Sequence, residues 1–242
     1  MAADDEVREL LEELSDHPGQ RLVWQRDSLQ RALQIYFHHT DRLEDLLLEF
    51  RSDVQSDGRG AITEDENDRF LICLHDYFSA SYGVFSKAQD FQSRFYCDCT
   101  NENCSPDSCD EFEPYLSNLR ESGLTEMGAY MNSLRVVVQK IRTPSLLTNT
   151  KYNFFDIDES DGVVIDRQLL LDWVRGSRDR EAAIGYLEDR DDAYICLHSE
   201  VVEYRNANEE FYGWLFQDAK ERYAHELRSR RTRLGELRDD VA

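Results

Sequence analysis

The sequence predicts a mainly α protein: a multi-helix bundle with long helices, one small β-hairpin and a Cys-rich loop. Three observations carry that expectation. Only four prolines and eleven glycines interrupt 242 residues, so long stretches run without a helix breaker. Apolar residues recur at three- and four-residue spacing through most of the chain, the period of a helix with one buried face. One pair of short apolar runs, KYNFFDI and VVI, brackets the turn-forming DESDG, the pattern of a hairpin. A hydrophobic content of 40% with 11% aromatics is enough for a packed core at this length.

Residues 1–18 read as an N-terminal amphipathic helix, with Val7, Leu10, Leu11 and Leu14 at helical spacing and acids in the first turn, where the helix dipole favours them. His17-Pro18-Gly19 ends it. Residues 19–218 read as the helical domain, with the Cys-rich loop at 96–112 and the hairpin at 147–166. Its first helix runs from about Arg21 to Asp53, and SDGRGA at 56–61 is a loop. Thr63 followed by Glu66 forms a capping box ahead of an apolar run from Phe70 to about Phe95. A helix over about 113–122 stops at Gly123. The next begins near Thr125 and carries MNSLRVVVQKIRTP, ending before Pro144 because the residue ahead of proline disfavours helical backbone.

After the hairpin, Asp166 caps a helix carrying Leu169 to Val174, and Ser177 caps another through Ile184 and Leu187. From about Asp192 the periodicity predicts one continuous helix toward Leu237. Residues 219–242 form a basic C-terminal helix extension: Lys220, Arg222, Arg228, Arg230, Arg231 and Arg233 face only Glu221 and Glu226 between 220 and 233. Such a stretch suits nucleic acid, a partner protein's acids or the acidic N-terminal helix. The acids in FDIDESDGVVI do not make a calcium loop. Counting from Asp156 puts Gly162 at seven and Arg167 at twelve, where an EF-hand needs glycine at six and glutamate at twelve.

Fifty acids against 28 basic residues give a net charge of −22, and the bases comprise 24 arginines and four lysines. This is the balance of a halophilic surface, on which molar salt shortens the Debye length to about 3 Å and removes long-range self-repulsion. Acidity therefore does not exclude RNA at such ionic strength. No apolar run approaches the roughly 18 to 20 residues that cross a bilayer, and no leader pattern opens the chain, so the expectation is a cytoplasmic protein with no membrane partner.

Several segments carry chemistry. FLICLHDYFSASYGVFSKAQDF, LRVVVQKIRTP, the hairpin, and DWVRGSRDREAAIGYL through VVEYRNANEEFYGWLF together resemble an uncharacterised prokaryotic branch of the HEPN (higher eukaryotes and prokaryotes nucleotide-binding) family over roughly residues 20–220. The resemblance implies a helical homodimer. It also implies a metal-independent ribonuclease ancestry, in which an Arg-x4-6-His pair acts on the scissile phosphate. Leu134, Arg135 and Pro144 match the pattern Leu-Arg-Asn-Tyr-x-x-His-x-x-x-Pro, whereas Val136 and Val137 replace Asn-Tyr and Lys140 replaces the histidine. The His-Thr-Arg of the companion helix falls on Lys87, Ala88 and Gln89. A lysine near its reference pKa neutralises phosphate but does not shuttle protons at neutral pH.

Arg135, Lys140 and His75 are thus the candidate site residues. Arg135 suits phosphate oxygens by its planar charged fork, and equally suits a structural ion pair in so acidic a chain. His75 beside Asp76 supplies an acid or base, or else a satisfied core histidine. Cys97, Cys99, Cys104 and Cys109, spaced Cys-x-Cys-x4-Cys-x4-Cys, suit a structural zinc ion, with disulfides and free thiols as alternatives. Cys73 and Cys196 read as core. The functional expectation is a non-catalytic or weakly catalytic interaction module, RNA-linked or associated with defence or toxin–antitoxin systems. The alternatives are a ribonuclease using Arg135 and a structural zinc-binding interaction protein.

Overall fold

The computed structural model describes Glu12, Ser15 and residues 17–57, 63–96, 113–138, 155–158, 162–175 and 181–241. The expected N-terminal helix, except for Glu12 and Ser15, the Cys-rich loop after Tyr96, and residues 139–154, which include Lys140, lie outside the described residues. Among the described residues the protein is a bundle of eight helices with a small antiparallel sheet. Its frame is a long helical hairpin, α1 (Pro18–Asp57) and α2 (Glu64–Phe95). Leu29, Leu33, Tyr36, Leu43, Leu47 and Phe50 share one buried face of α1. They meet Phe70, Leu74, Tyr77, Val84, Ala88 and Phe91 of α2, each fully buried large side chain contributing about 1.5–3 kcal/mol.

The start of α1 corrects the expected boundary near Arg21. Pro18 lacks only an N–H that the first turn cannot use, and His17 Nδ1 accepts the Gly19 N–H at 3.0 Å. The start of α2 follows the expected capping box. Thr63 Oγ1 accepts the Glu66 N–H at 3.3 Å and the Glu66 carboxylate accepts the Thr63 N–H at 2.7 Å. The two helices are tied near the turn between them by a two-pronged Arg69–Glu49 pair at 2.9 and 3.1 Å.

The helices α3 (Glu113–Glu121) and α4 (Leu124–Val136) are separated by Gly123, whose φ of 72° is a left-handed turn that glycine adopts without steric cost. Two strands follow, β1 (Phe155–Asp158) and β2 (Gly162–Asp166), paired Phe155 to Ile165 through Asp158 to Gly162. Gly162 combines a φ of 75° with close approach to α1, since a Cβ there would sit 3.0 Å from Arg51 Cβ. Because β2 packs against α1, α5 (Arg167–Arg175) and α7 (Leu197–Arg222), Val163, Val164 and Ile165 are all buried. Asp166 caps α5 as expected, its Oδ1 accepting the Leu169 N–H at 2.9 Å.

The C-terminal third departs from the expected continuous helix in two places. Following α6 (Glu181–Glu188), Tyr194–Cys196 form β3, which joins β2 with Val164 opposite Cys196 and Ile165 opposite Ile195. Their apolar spacing fits a helix, but pairing with an otherwise open strand edge overrides it. The long helix then stops at Arg222. Tyr223 reaches across to α2, donating its hydroxyl to the Phe95 carbonyl at 2.6 Å and packing edge-on against the Phe95 ring, and α8 (Ala224–Val241) starts afresh. α8 lies on the beginning of α1, where Arg230 Nε donates to Gln20 Oε1 at 2.6 Å. Gly19 permits that approach, as a Cβ there would lie 2.5 Å from the Glu226 carbonyl oxygen.

Candidate binding cleft

Residues of α2, α3, α4 and α7 line a cleft of about 430 Å³, within the usual size range of small-ligand pockets. Tyr82 and Phe85 stand at its mouth, 51% and 53% exposed, while Tyr204, Asn208 and Tyr212 of α7 are buried in its depth. Most of the wall is apolar: Phe78, Val84, Leu119, Leu124, Ala129 and Met131. Its neutral polar groups include Thr125, Asn132, the Ser81 hydroxyl, 3.4 Å from the Tyr204 hydroxyl, and Asn208, whose Nδ2 donates to the Tyr204 carbonyl at 2.6 Å.

Arg135 is the one charged side chain lining this cleft among the described residues. It stands in the last turn of α4, where a cation complements the helix dipole. Its Nε and Nη2 both donate to Asn132 Oδ1, at 3.0 and 2.9 Å, and its guanidinium carbon lies 4.5 Å from the centre of the Tyr82 ring. The i,i+3 amide and the aromatic face hold the guanidinium plane in place, a geometry in which an arginine recognises carboxylate or phosphate.

His75 does not join it. His75 is on α2 but points to solvent, 59% exposed, with Nδ1 4.0 Å from Asp76 Oδ1. Asp76 also lies 4.0 Å from Arg42. The expected alternative of a core histidine is therefore corrected, because this side chain faces outward from the hairpin. Lys140, Cys97, Cys99, Cys104 and Cys109 lie outside the described residues, among which no metal-binding cluster of His, Cys, Asp and Glu occurs. Cys73 and Cys196 are half-buried rather than fully core.

A second arginine site lies deeper. Glu200 of α7, 1% exposed, accepts from the Tyr186 hydroxyl and pairs with Arg190 at 3.1 Å, while Arg190 also pairs with Glu203 at 3.0 Å. Tyr186 stacks on the buried Tyr130 ring with centroids 4.8 Å apart, and Arg190 lies over Tyr186. Burial pushes the Glu200 carboxyl above its ordinary value, against the opposing pull of Tyr186 and Arg190. Burial also raises the Tyr130 phenol strongly, with the Glu200 charge adding to the effect. This cluster joins α6, α7 and α4 into one body.

Tyr82, Phe85, Gly128, Asn132 and Asn208 were not among the sequence candidates. Two aromatics at i,i+3 on α2 and an amide three residues before Arg135 were legible signals. That α7 closes the cleft from behind was not, since that contact spans some seventy residues of sequence. No protein-family model matches the chain, and neither does a curated protein or a solved structure. No helix among the described residues is long and apolar enough to cross a membrane.

Proposed function

We propose that the chain is a non-catalytic helical binding module that captures an anionic group at Arg135, in an RNA-linked setting of the kind its HEPN-like segments imply. The observation that carries this reading is the guanidinium held by Asn132 and Tyr82 at the mouth of an apolar cleft. The groups around it can position a phosphate or carboxylate. Among the described residues the other polar groups lining the cleft are neutral hydroxyls and amides, and the sequence puts Lys140 where a ribonuclease of this type carries its histidine. Charge and aromatic surface together suit retention of a nucleotide chain better than its cleavage.

The test is incubation of purified protein at high salt with labelled RNA, reading retention and cleavage separately. Wild type is expected to retain RNA without shortening it, and Arg135→Ala to lose at least tenfold in affinity. Absence of retention by wild type contradicts the RNA reading, and cleavage abolished by Arg135→Ala contradicts the non-catalytic one. A homodimer is part of the same proposal, and a monomeric mass in sedimentation contradicts it. The four-cysteine spacing supports a separate proposal of structural zinc. Purified protein is then expected to hold stoichiometric zinc. A metal-free preparation in which Cys97→Ser, Cys99→Ser folds normally rules the staple out.

A further inference from the structure

Helix α8 turns a face outward that differs from the acidic surface around it. Fifty of the 242 residues are acids, yet between Tyr223 and Gly235 Glu226 is the only one, among Arg228, Arg230, Arg231 and Arg233. Packing sorts these residues by side. Tyr223 and Leu227 lie against the core, and Arg230, one turn further on, donates to Gln20 of α1. Glu226 goes inward with them, one of its carboxylate oxygens being buried. Gly19 lets this side of α8 sit directly on α1. Left outside, three residues apart and both exposed, are Arg228 and Arg231. Among the described residues neither forms an ion pair, although Arg205 gathers three carboxylates and Arg190 two.

We propose that the outer face of α8 is a contact surface for the phosphate backbone of RNA, with Arg228 and Arg231 each engaging a phosphate. This rests on the RNA reading above and adds a second contact to it, since α8 contributes no described residue to the cleft. Side chains three residues apart stand on one side of a helix with about 5–6 Å between their Cβ atoms. Two guanidinium forks so placed address successive points along an extended anion, and each fork matches phosphate oxygens in two-pronged fashion. Charge complementarity singles out the face. Elsewhere a net charge of −22 opposes a polyanion, whereas an acid-free stripe lets one settle at close range. A second copy of this chain would bring to the face the same kind of carboxylate that surrounds it without pairing. A phosphodiester chain brings a fixed charge at every nucleotide.

The experiment measures retention of labelled single-stranded RNA by the full chain across the range of salt concentrations in which it stays folded. The wild type is compared with the double variant Arg228→Gln, Arg231→Gln. The double variant should bind at least tenfold more weakly at the lowest salt. Its dependence of log affinity on log salt should be shallower by roughly 0.7 for each arginine removed. Arg228→Lys, Arg231→Lys keeps both charges and should keep the wild-type salt slope, which separates loss of charge from loss of structure. Arg69→Gln, which removes a charge beside the turn of the α1–α2 hairpin, should leave affinity and slope unchanged. Weaker binding with an unaltered slope overturns the proposal, as does an equal loss in Arg69→Gln. Unchanged RNA affinity in the double variant also overturns it, and a dimer that falls apart in that variant would then assign the face to a protein partner. If Arg135→Ala loses RNA while the double variant does not, the α8 surface falls and the Arg135 reading stands. If wild type retains no RNA, both fall.

Discussion

Arg190 and Arg135 each lie over a tyrosine ring in otherwise different surroundings. Arg190, over Tyr186, is enclosed by the carboxylates of Glu200 and Glu203 and ties α6 to α7. Arg135, over Tyr82, is oriented by the neutral amide of Asn132 and stands at the mouth of a cavity. The same residue type and the same aromatic contact thus stand in two settings. Around Arg190 the carboxylates of Glu200 and Glu203 converge on the guanidinium, whereas at Arg135 the Asn132 amide fixes its direction beside a cleft.

The comparison breaks most visibly at Glu200. Replacing it by alanine leaves Arg190 and the Tyr186 hydroxyl without their buried acceptor, and should lower unfolding free energy by about 3 kcal/mol in denaturant titration. Ligand binding at the cleft should survive that loss in conditions where the protein remains folded. Arg135→Ala should do the reverse, changing stability by under about 1 kcal/mol for a half-exposed group while removing binding. If Arg135→Ala destabilises as much as Glu200→Ala, the two sites are of one kind. Smaller again, Gly128→Ala should raise stability by about 0.8 kcal/mol, because the added methyl improves the helix and enters open space.

The pH dependence sharpens the contrast further. Burial raises the Glu200 carboxyl above 4.5, so the folded state holds a proton that the unfolded state would release. Its charged form is therefore a cost at neutral pH. That cost disappears as pH falls through the raised folded value toward the ordinary glutamate value. Measured against Glu200→Gln, wild type should gain stability on moving from neutral to mildly acidic pH. A difference that is flat with pH would mean that Arg190 and Tyr186 fully offset the burial.

The long hairpin was legible because its signals are local. The buried stripe of α1 and the Thr63–Glu66 box need no knowledge of the rest of the chain. The third strand was not, since Tyr194-Ile195-Cys196 fits a helical period and becomes a strand only by meeting β2. The break at Tyr223 likewise depends on Phe95, far off in sequence. Arg135 was conspicuous from sequence, yet whether it paired inward or faced a cavity depended on α2 and α7 packing around α4.

The proposed binding role of Arg135 is tested most directly by measuring RNA retention and denaturation midpoint on the same preparations of wild type and Arg135→Ala. A binding role predicts an affinity loss of at least tenfold with a midpoint that moves little. Unchanged affinity, or a midpoint that falls together with it, would contradict that role.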